Sequence, residues 1–178
     1  LNQRDAVSLT IFDEKTQGHV PPRSTQGHLN SVLARLEQIK PGNDTRIAPT
    51  LHELADKIKK RGLVILISDL LDDPEEVLSG LKHFRHRKHE VIVFHLTDSR
   101  EKDLDFSLRT RFRDLETGEE ITTEPWQIRA AYKRVVEKFQ STYKKEMRKR
   151  NIDYVPIQTD QALDLALTHY LTKRRAIA

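Results

Sequence analysis

Apolar residues cluster along this chain with two alternating spacings. Short unbroken runs, such as Leu63–Ile67 and those within His89–Leu96, are typical of strands buried on both faces of a parallel sheet. Between the runs, apolar residues three and four positions apart predict amphipathic helices, the longest from about Pro125 to Arg150. This alternation predicts an α/β fold with a mostly parallel central sheet sandwiched by helices.

Two segments depart from the alternation and predict antiparallel hairpins. Val7–Phe12 is expected to be a strand that returns through His19–Pro22, and the prolines would confine the return strand to a sheet edge. A small hairpin insertion is expected at about residues 108–124. The pattern shows no repeat and no low-complexity linker, so we expect a single domain over residues 1–178.

Composition narrows the classes of function. The chain has no cysteine, which excludes disulfides, thiolate catalysis and cysteine-ligated zinc. No apolar run approaches the roughly 18 residues of a membrane span, and no signal peptide opens the chain, so we expect a cytoplasmic protein. A net charge of +4 gives only slight support to a nucleic-acid partner.

The segment RGLVILISDLLDDP, residues 61–74, joins a predicted buried strand to a group of carboxylates. Ligands of open parallel sheets bind outside the carboxyl ends of the strands, so Asp69 would lie at the rim of a site. Alternatively, Asp69 starts a turn, and Asp72 or Asp73 caps the helix that begins at Pro74. The pattern by itself favours the turn and the cap.

The order of five segments along the chain resembles that of a known family. From the N-terminus they are RDAVSLTIFDEKTQGHVPP, GNDTRIAPTLHELA, GLVILISDLLDDPEEVLSGLKHFRHRKHEVIVFHL, FRDLETGEEI and IDYVPIQTDQALDLAL. Together they resemble the von Willebrand factor A-like (vWA) domains, and more closely the bacterial domain-of-unknown-function family 58. The resemblance runs from Arg4 to about Leu171 and implies a Rossmann-like three-layer sandwich with an antiparallel edge to its sheet.

The resemblance also implies a metal-ion-dependent adhesion site, in which a partner's carboxylate completes the coordination of Mg²⁺ or Mn²⁺. Thr45 matches the loop threonine of that site and Asp69 the aspartate at the end of the fourth strand. Such oxygen ligands suit magnesium, which keeps an open position for an incoming anion. The Asp-x-Ser-x-Ser motif of the family is absent: Asp105–Arg109 begins correctly but has arginine in place of the second serine. We therefore expect at most a partial set of ligands.

A strand of the family's sheet is also missing. In the vWA order, the first strand separates the strand at Val7–Phe12 from the strand at Leu63–Ile67. Without it, backbone donors in both neighbours would lose their partners. We expect the domain to be incomplete at its N-terminus, with this strand supplied by a longer chain, supplied by another chain, or absent from a rearranged sheet.

Two further clusters suggest alternative sites. His83, His86 and His89 have a spacing that could bind zinc, but the flanking lysines and arginines favour a solvated basic helix end. The long helix carries basic residues that could bind nucleic-acid phosphates or an acidic protein, or form a water-facing surface: Lys133, Arg134, Lys138, Lys144, Lys145 and Arg148.

The function expected from these observations is protein binding without catalysis. Family 58 proteins are associated with MoxR-type AAA ATPases, so the resemblance implies an adaptor or chaperone-like partner of such an ATPase. The alternatives are a nucleic-acid-associated protein that uses the basic helix, and a metal-dependent hydrolase at Asp69. The hydrolase has less support, because the sequence contains no Gly-rich phosphate loop and no nucleophile elbow. We assign no catalytic residue.

Overall fold

A computed structural model describes residues 5–13, 16–39, 47–114, 118–162, 164, 167–168 and 170–172. Strands and helices alternate along most of this length. Their order is β1 (Val7–Phe12), β2 (Thr16–Arg23), α1 (Gln26–Glu37), α2 (Ile47–Lys57), β3 (Leu63–Ser68), α3 (Pro74–His86), β4 (Glu90–Thr97), α4 (Ser99–Asp103), β5 (Thr110–Arg113), β6 (Glu120–Thr123), α5 (Pro125–Lys149) and β7 (Asp153–Gln158).

The centre of the fold is a parallel sheet with the strand order β3-β4-β7. The register pairs Leu63 with Glu90, and Ile92 with Asp153. All three strands therefore start at one edge of the sheet and end at the opposite edge. This arrangement, with helices against the sheet, confirms the predicted α/β class.

One face of the sheet carries the main core. Alternate residues of the strands, such as Leu66 and Val93, point to this face and are buried. Three helices cover it: α2 contributes Leu51, α3 contributes Leu81 and α5 contributes Tyr143, each almost inaccessible to solvent. In α2 and α3 the apolar residues at helical spacing form the buried side.

Among the described residues, the opposite face is covered over β4 and β7 and not over β3. Buried residues Ile92, Phe94 and Ile157 pack there against Leu167 and Tyr170. These two residues belong to the C-terminal segment, whose residues 164, 167–168 and 170–172 are helical as the sequence predicts.

The strand β3 differs from its prediction as a strand buried on both faces. Leu63, Ile65 and Ile67 are 49%, 50% and 63% exposed. The reason is the position of β3 at the end of the sheet, where no other strand among the described residues pairs with it. In β4, which has a neighbour on each side, the five residues from Val91 to His95 are all buried, as predicted.

The two hairpins form sheets of their own. β1 and β2 pair antiparallel, and so do β5 and β6. We expected the first hairpin at the edge of the parallel sheet, but no strand of the described chain joins β1 to β3. The hairpin is instead tied to α1, where His28 Nε2 lies 2.7 Å from the carbonyl oxygen of Val7.

Two predicted apolar stripes are only partly buried. In α1, Val32 is buried, whereas Leu29, Leu33 and Leu36 are exposed, as is Ile39 just beyond the helix. They lack a covering element among the described residues.

Of the apolar stripe of α5, the buried side chains are those of the C-terminal half. Tyr143 and Met147 are inaccessible, whereas Ile128 and Val135 are exposed. A helix of 25 residues is about 37 Å long, and a six-residue strand only about 20 Å, so α5 extends beyond the sheet. None of the helices in the described chain is both long and apolar enough to cross a membrane.

The contact between α2 and α3 gives a test of this packing. A Cβ atom at Gly80 would lie 2.8 Å from Cβ of Leu51, whereas one at Gly27 in α1 would meet nothing within 4 Å. We expect Gly80→Ala to lower the free energy of unfolding by about 1 kcal/mol, because crowding outweighs the gain in helix propensity. Gly27→Ala should raise it by about 0.5 kcal/mol. Urea denaturation measures both; equal stabilisation by the two would contradict the packing described.

Candidate functional site

The carboxyl ends of the three parallel strands form the candidate site. The register places Ser68 beside His95, and Thr97 beside Gln158. The residues that follow these ends therefore lie along one edge of the sheet. We call this edge the carboxyl rim, and its acidic side chains are Asp69, Asp98 and Glu101.

Asp69 is the exposed residue that directly follows β3. Its Oδ1 accepts hydrogen bonds from the backbone N–H of Leu71, at 3.3 Å, and from the hydroxyl of Ser68, at 3.4 Å. Both bonds are long and local, as in a turn in which an aspartate bonds to the backbone two residues on. The carboxylate therefore keeps acceptor capacity for a ligand.

The other two carboxylates of the segment have structural roles. Asp73 accepts hydrogen bonds from the N–H groups of Glu75 and Glu76, at 2.8 and 3.1 Å, and so caps α3. Asp72 accepts from the N–H groups of Ile47 and Ala48, at 2.9 and 3.4 Å, at the start of α2. The predicted cap is confirmed for Asp73, and Asp72 serves a second helix that its sequence position did not indicate.

Asp98 and Glu101 bring further negative charge to the carboxyl rim. The N–H of Arg100 donates to Asp98, and the hydroxyl of Thr159 does so too; the first of these bonds is the main reason that the pKa of Asp98 is lowered. The pKa of Glu101 is raised, first by loss of solvent and then by the charges of Asp98 and Asp69. This mutual repulsion favours a cation at the rim.

The sequence interpretation did not single out these two residues. The signal was present, because Asp98 follows the buried run of β4 as Asp69 follows that of β3. The same rule for strand ends would have found it.

Buried polar side chains of the core stabilise the turn after β3. His95 is 1% exposed, and its Nδ1 lies 2.6 Å from the hydroxyl of Tyr154. Burial lowers the pKa of His95, while a hydrogen bond to the backbone of Asp69 and the charge of that residue act in the opposite direction. The hydroxyl of Tyr143 donates to the carbonyl of Leu70, which has a φ of 58°. The turn is thus fixed from the core.

The tyrosines of this group remain protonated. Burial raises the pKa of Tyr154 to about 12. Burial also raises the pKa of Tyr143, with a smaller contribution from the charges of Asp72 and Asp73. Both hydroxyls therefore carry a proton that they can donate at neutral pH.

The expected metal ligands are only partly represented at the rim. Thr45 lies outside the described residues, so its position relative to Asp69 stays a prediction. The segment Asp105–Arg109 lies between α4 and β5, and Asp105 forms an ion pair with Arg129 at 2.8 Å. Within the described ranges, no three His, Asp or Glu side chains are grouped so that they could hold a metal ion. Carboxylate oxygens suit a hard cation, but they do not form a complete site here.

The three candidate zinc histidines do not converge. Nδ1 of His89 is buried and lies 3.2 Å from the backbone N–H of Gly62, which donates to it. His83 lies 3.5 Å from a carboxylate oxygen of Asp56, and His86 is exposed at the end of α3. The arrangement is that of a helix end.

The predicted basic surface of α5 is divided between its two ends. Nζ of Lys133 forms an ion pair with Asp103 of α4, at 2.8 Å, and that contact lowers the pKa of Asp103. Arg134 and Lys138 are exposed farther along the helix. The remaining members lie in the last turns of α5, close to the start of β7: Lys144, Lys145 and Arg148.

Alanine substitutions should distinguish Asp72, whose carboxylate stabilises a helix, from Asp69, whose carboxylate does not. Asp72→Ala removes the acceptor for two N–H groups of α2, and we expect it to lower the free energy of unfolding by about 1–3 kcal/mol. Asp69→Ala removes only local contacts of an exposed side chain and should change it by less than about 0.5 kcal/mol. Denaturant titration compares them. A large loss on Asp69→Ala would assign a structural role to this residue.

The buried imidazole of His95 predicts a dependence of stability on pH. The pKa of His95 is lowered from its usual 6.5 in the folded protein, so below about pH 6.5 the unfolded chain binds the proton more readily. The contribution of this group is present above that pH and decreases as the pH falls. Thermal melts from about pH 7 to 5 should therefore show falling stability, and a flatter profile for His95→Phe. Parallel profiles would contradict this role.

Comparison with known proteins places the chain in a family. The family described as "Protein of unknown function DUF58" matches residues 1–142. Neither the curated proteins nor the solved structures contain a match to this chain. Because the matched residues make up most of the 178 in the sequence, this chain belongs to the DUF58 family.

Proposed function

We propose that this domain binds protein partners at its carboxyl rim and acts as an adaptor or chaperone-like partner of a MoxR-type AAA ATPase. In this proposal, Asp69 holds Mg²⁺ or Mn²⁺ once a further strand pairs with β3. The observation that carries the proposal is the edge of β3, which no strand of the described chain pairs with, and Asp69 directly follows this strand.

The backbone of β3 supports this role of the edge. The carbonyl of Gly62 accepts a hydrogen bond from the N–H of Glu90 on the side of β4, at 3.0 Å. Backbone groups alternate in direction along a strand, so the N–H and C=O groups of Leu63, Ile65 and Ile67 point away from β4. Their exposed side chains also leave apolar surface for another element to cover. An edge of this kind is a template for strand pairing.

Asp69 lies where a strand added to the edge of β3 would bring further metal ligands. A strand added parallel to β3 would end beside Asp69, at the carboxyl rim. The resemblance to vWA domains implies that this strand carries the Asp-x-Ser-x-Ser motif, whose carboxylate and hydroxyl oxygens would complete a magnesium site. The turn that presents Asp69 is already fixed by His95 and Tyr143 from the core.

The charges of the rim suggest how metal would control partner binding. Burial is the main reason that the pKa of Glu101 is raised, and the charges of Asp98 and Asp69 raise it further. A partner's carboxylate would be repelled by this rim in the absence of metal, whereas a bound divalent cation would attract it. Partner binding should therefore depend on the cation.

Calorimetric titration with MgCl₂ and MnCl₂ tests the site. We expect binding by a form extended at its N-terminus with the strand that carries Asp-x-Ser-x-Ser, and none by the 178-residue chain. Asp69→Ala in the extended form should abolish binding, since it removes a ligand. Glu37→Ala, which removes an exposed carboxylate at the end of α1, should leave it unchanged. Equal binding by the two variants would exclude Asp69 as a ligand.

The partner is tested separately with the purified MoxR-type ATPase. We expect the extended form to bind the ATPase in Mg²⁺ and to lose that binding in EDTA or on Asp69→Ala. Binding that survives both would retain the adaptor role but remove the metal from it. Absence of binding by a form that takes up metal would reject the ATPase as partner.

A further inference from the structure

The parallel sheet brings together three basic runs at the edge opposite the carboxyl rim. Residues 57–61 precede β3, residues 82–88 precede β4 and residues 144–150 precede β7. The strands start at the same edge, so the three runs meet there although they are far apart in sequence. We call this edge the amino edge, and its exposed basic residues are Lys59, Lys60, Arg61, Lys88, Lys144, Lys145 and Arg148.

Tight turns hold two of the runs against the strands. Lys88 has a φ of 65°, and the N–H of His89 donates to the carbonyl of Phe84, so α3 passes directly into β4. Asn151 has a φ of 53°, and the N–H of Ile152 donates to the carbonyl of Met147. Both are helix C-terminal caps with a left-handed residue. They keep the last turns of α3 and α5 at the amino edge.

Part of this charge is neutralised within the protein. Arg87 forms an ion pair with Asp56 at 2.6 Å, and Glu146 pairs with Lys149 and Arg150 at 2.7 and 2.6 Å. In the described part of the chain, the ion pairs do not include the basic side chains that remain at the amino edge. The formal net charge of the chain is only +4, so this edge concentrates positive charge that the whole composition conceals.

The residue types favour the phosphates of a duplex over those of a single strand. Single-stranded nucleic acid is bound by aromatic side chains that stack on bases. Phe84, near the end of α3 at the amino edge, is buried. The exposed Trp126 is at the start of α5, at the other end of the helix. Lysine and arginine without exposed aromatics are the groups that contact a phosphate backbone.

We propose that the amino edge binds the phosphate backbone of a nucleic-acid duplex without reading its sequence. This surface lies at the opposite ends of the strands from Asp69. Duplex binding there would be separate from the proposed protein binding and would need no metal. One residue from each run contributes to the test: Lys60 before β3, Lys88 before β4 and Arg148 before β7.

Fluorescence anisotropy with a short labelled DNA duplex of random sequence tests the proposal. The variant K60Q/K88N/R148Q removes one charge from each run, and asparagine tolerates the left-handed backbone at position 88. The matched control R23Q/R109Q/R113Q removes the same charge from exposed positions outside the amino edge and outside the basic surface of α5. Far-UV circular dichroism and thermal melts verify that both variants are folded.

We expect the first variant to bind the duplex at least about tenfold more weakly, and the control to bind within about twofold of the parent chain. The slope of log affinity against log salt concentration should become shallower by about one for each contact removed. An equal loss in both variants would mean that net charge alone acts, and would overturn the proposal. So would binding to anionic vesicles or polyglutamate through these residues without binding to the duplex.

Discussion

Parallel pairing of β3, β4 and β7 is the constraint on which both surfaces depend. The helices that connect parallel strands run antiparallel to those strands. Each strand therefore begins after the end of a helix and ends before the start of the next. Helix starts require acceptors for their backbone N–H groups, and helix ends accommodate cations. The acidic side chains such as Asp73 and Asp98 therefore gather at one edge, and the basic side chains such as Lys88 and Arg148 at the other.

The need of helix starts for hydrogen-bond acceptors also explains why the carboxylates of residues 69–73 differ in role. Asp72 and Asp73 accept hydrogen bonds from the backbone N–H groups of two helices. Asp69 has no helix to cap, because Leu70 adopts a left-handed conformation immediately after it and turns the chain into the core. Its carboxylate therefore caps no helix, and the buried hydroxyl of Tyr143 holds the following residue, Leu70, in place.

Apolar side chains are left exposed on two elements of the described chain. Ile65 and Ile67 of β3 lie uncovered, and α1 leaves Leu33 and Leu36 exposed. A typical apolar side chain gains about 1.5–3 kcal/mol on full burial, so several of them left in water represent a substantial unrealised stabilisation. The proposed additional strand would cover part of the apolar surface of β3. Without that strand, the edge of β3 would favour self-association through strand pairing.

The sequence by itself determined the α/β class, the approximate bounds of the strands and long helices, and a cap at Asp72 or Asp73, since these follow from local periodicity and capping chemistry. It also placed Asp69 at a strand end. Only the tertiary structure decided that β3 is exposed on one face, because burial depends on neighbours that periodicity does not specify. It likewise decided that Asp72 serves α2 and that three separate basic runs form one edge. These depend on strand order and register, which bring together residues distant in the chain.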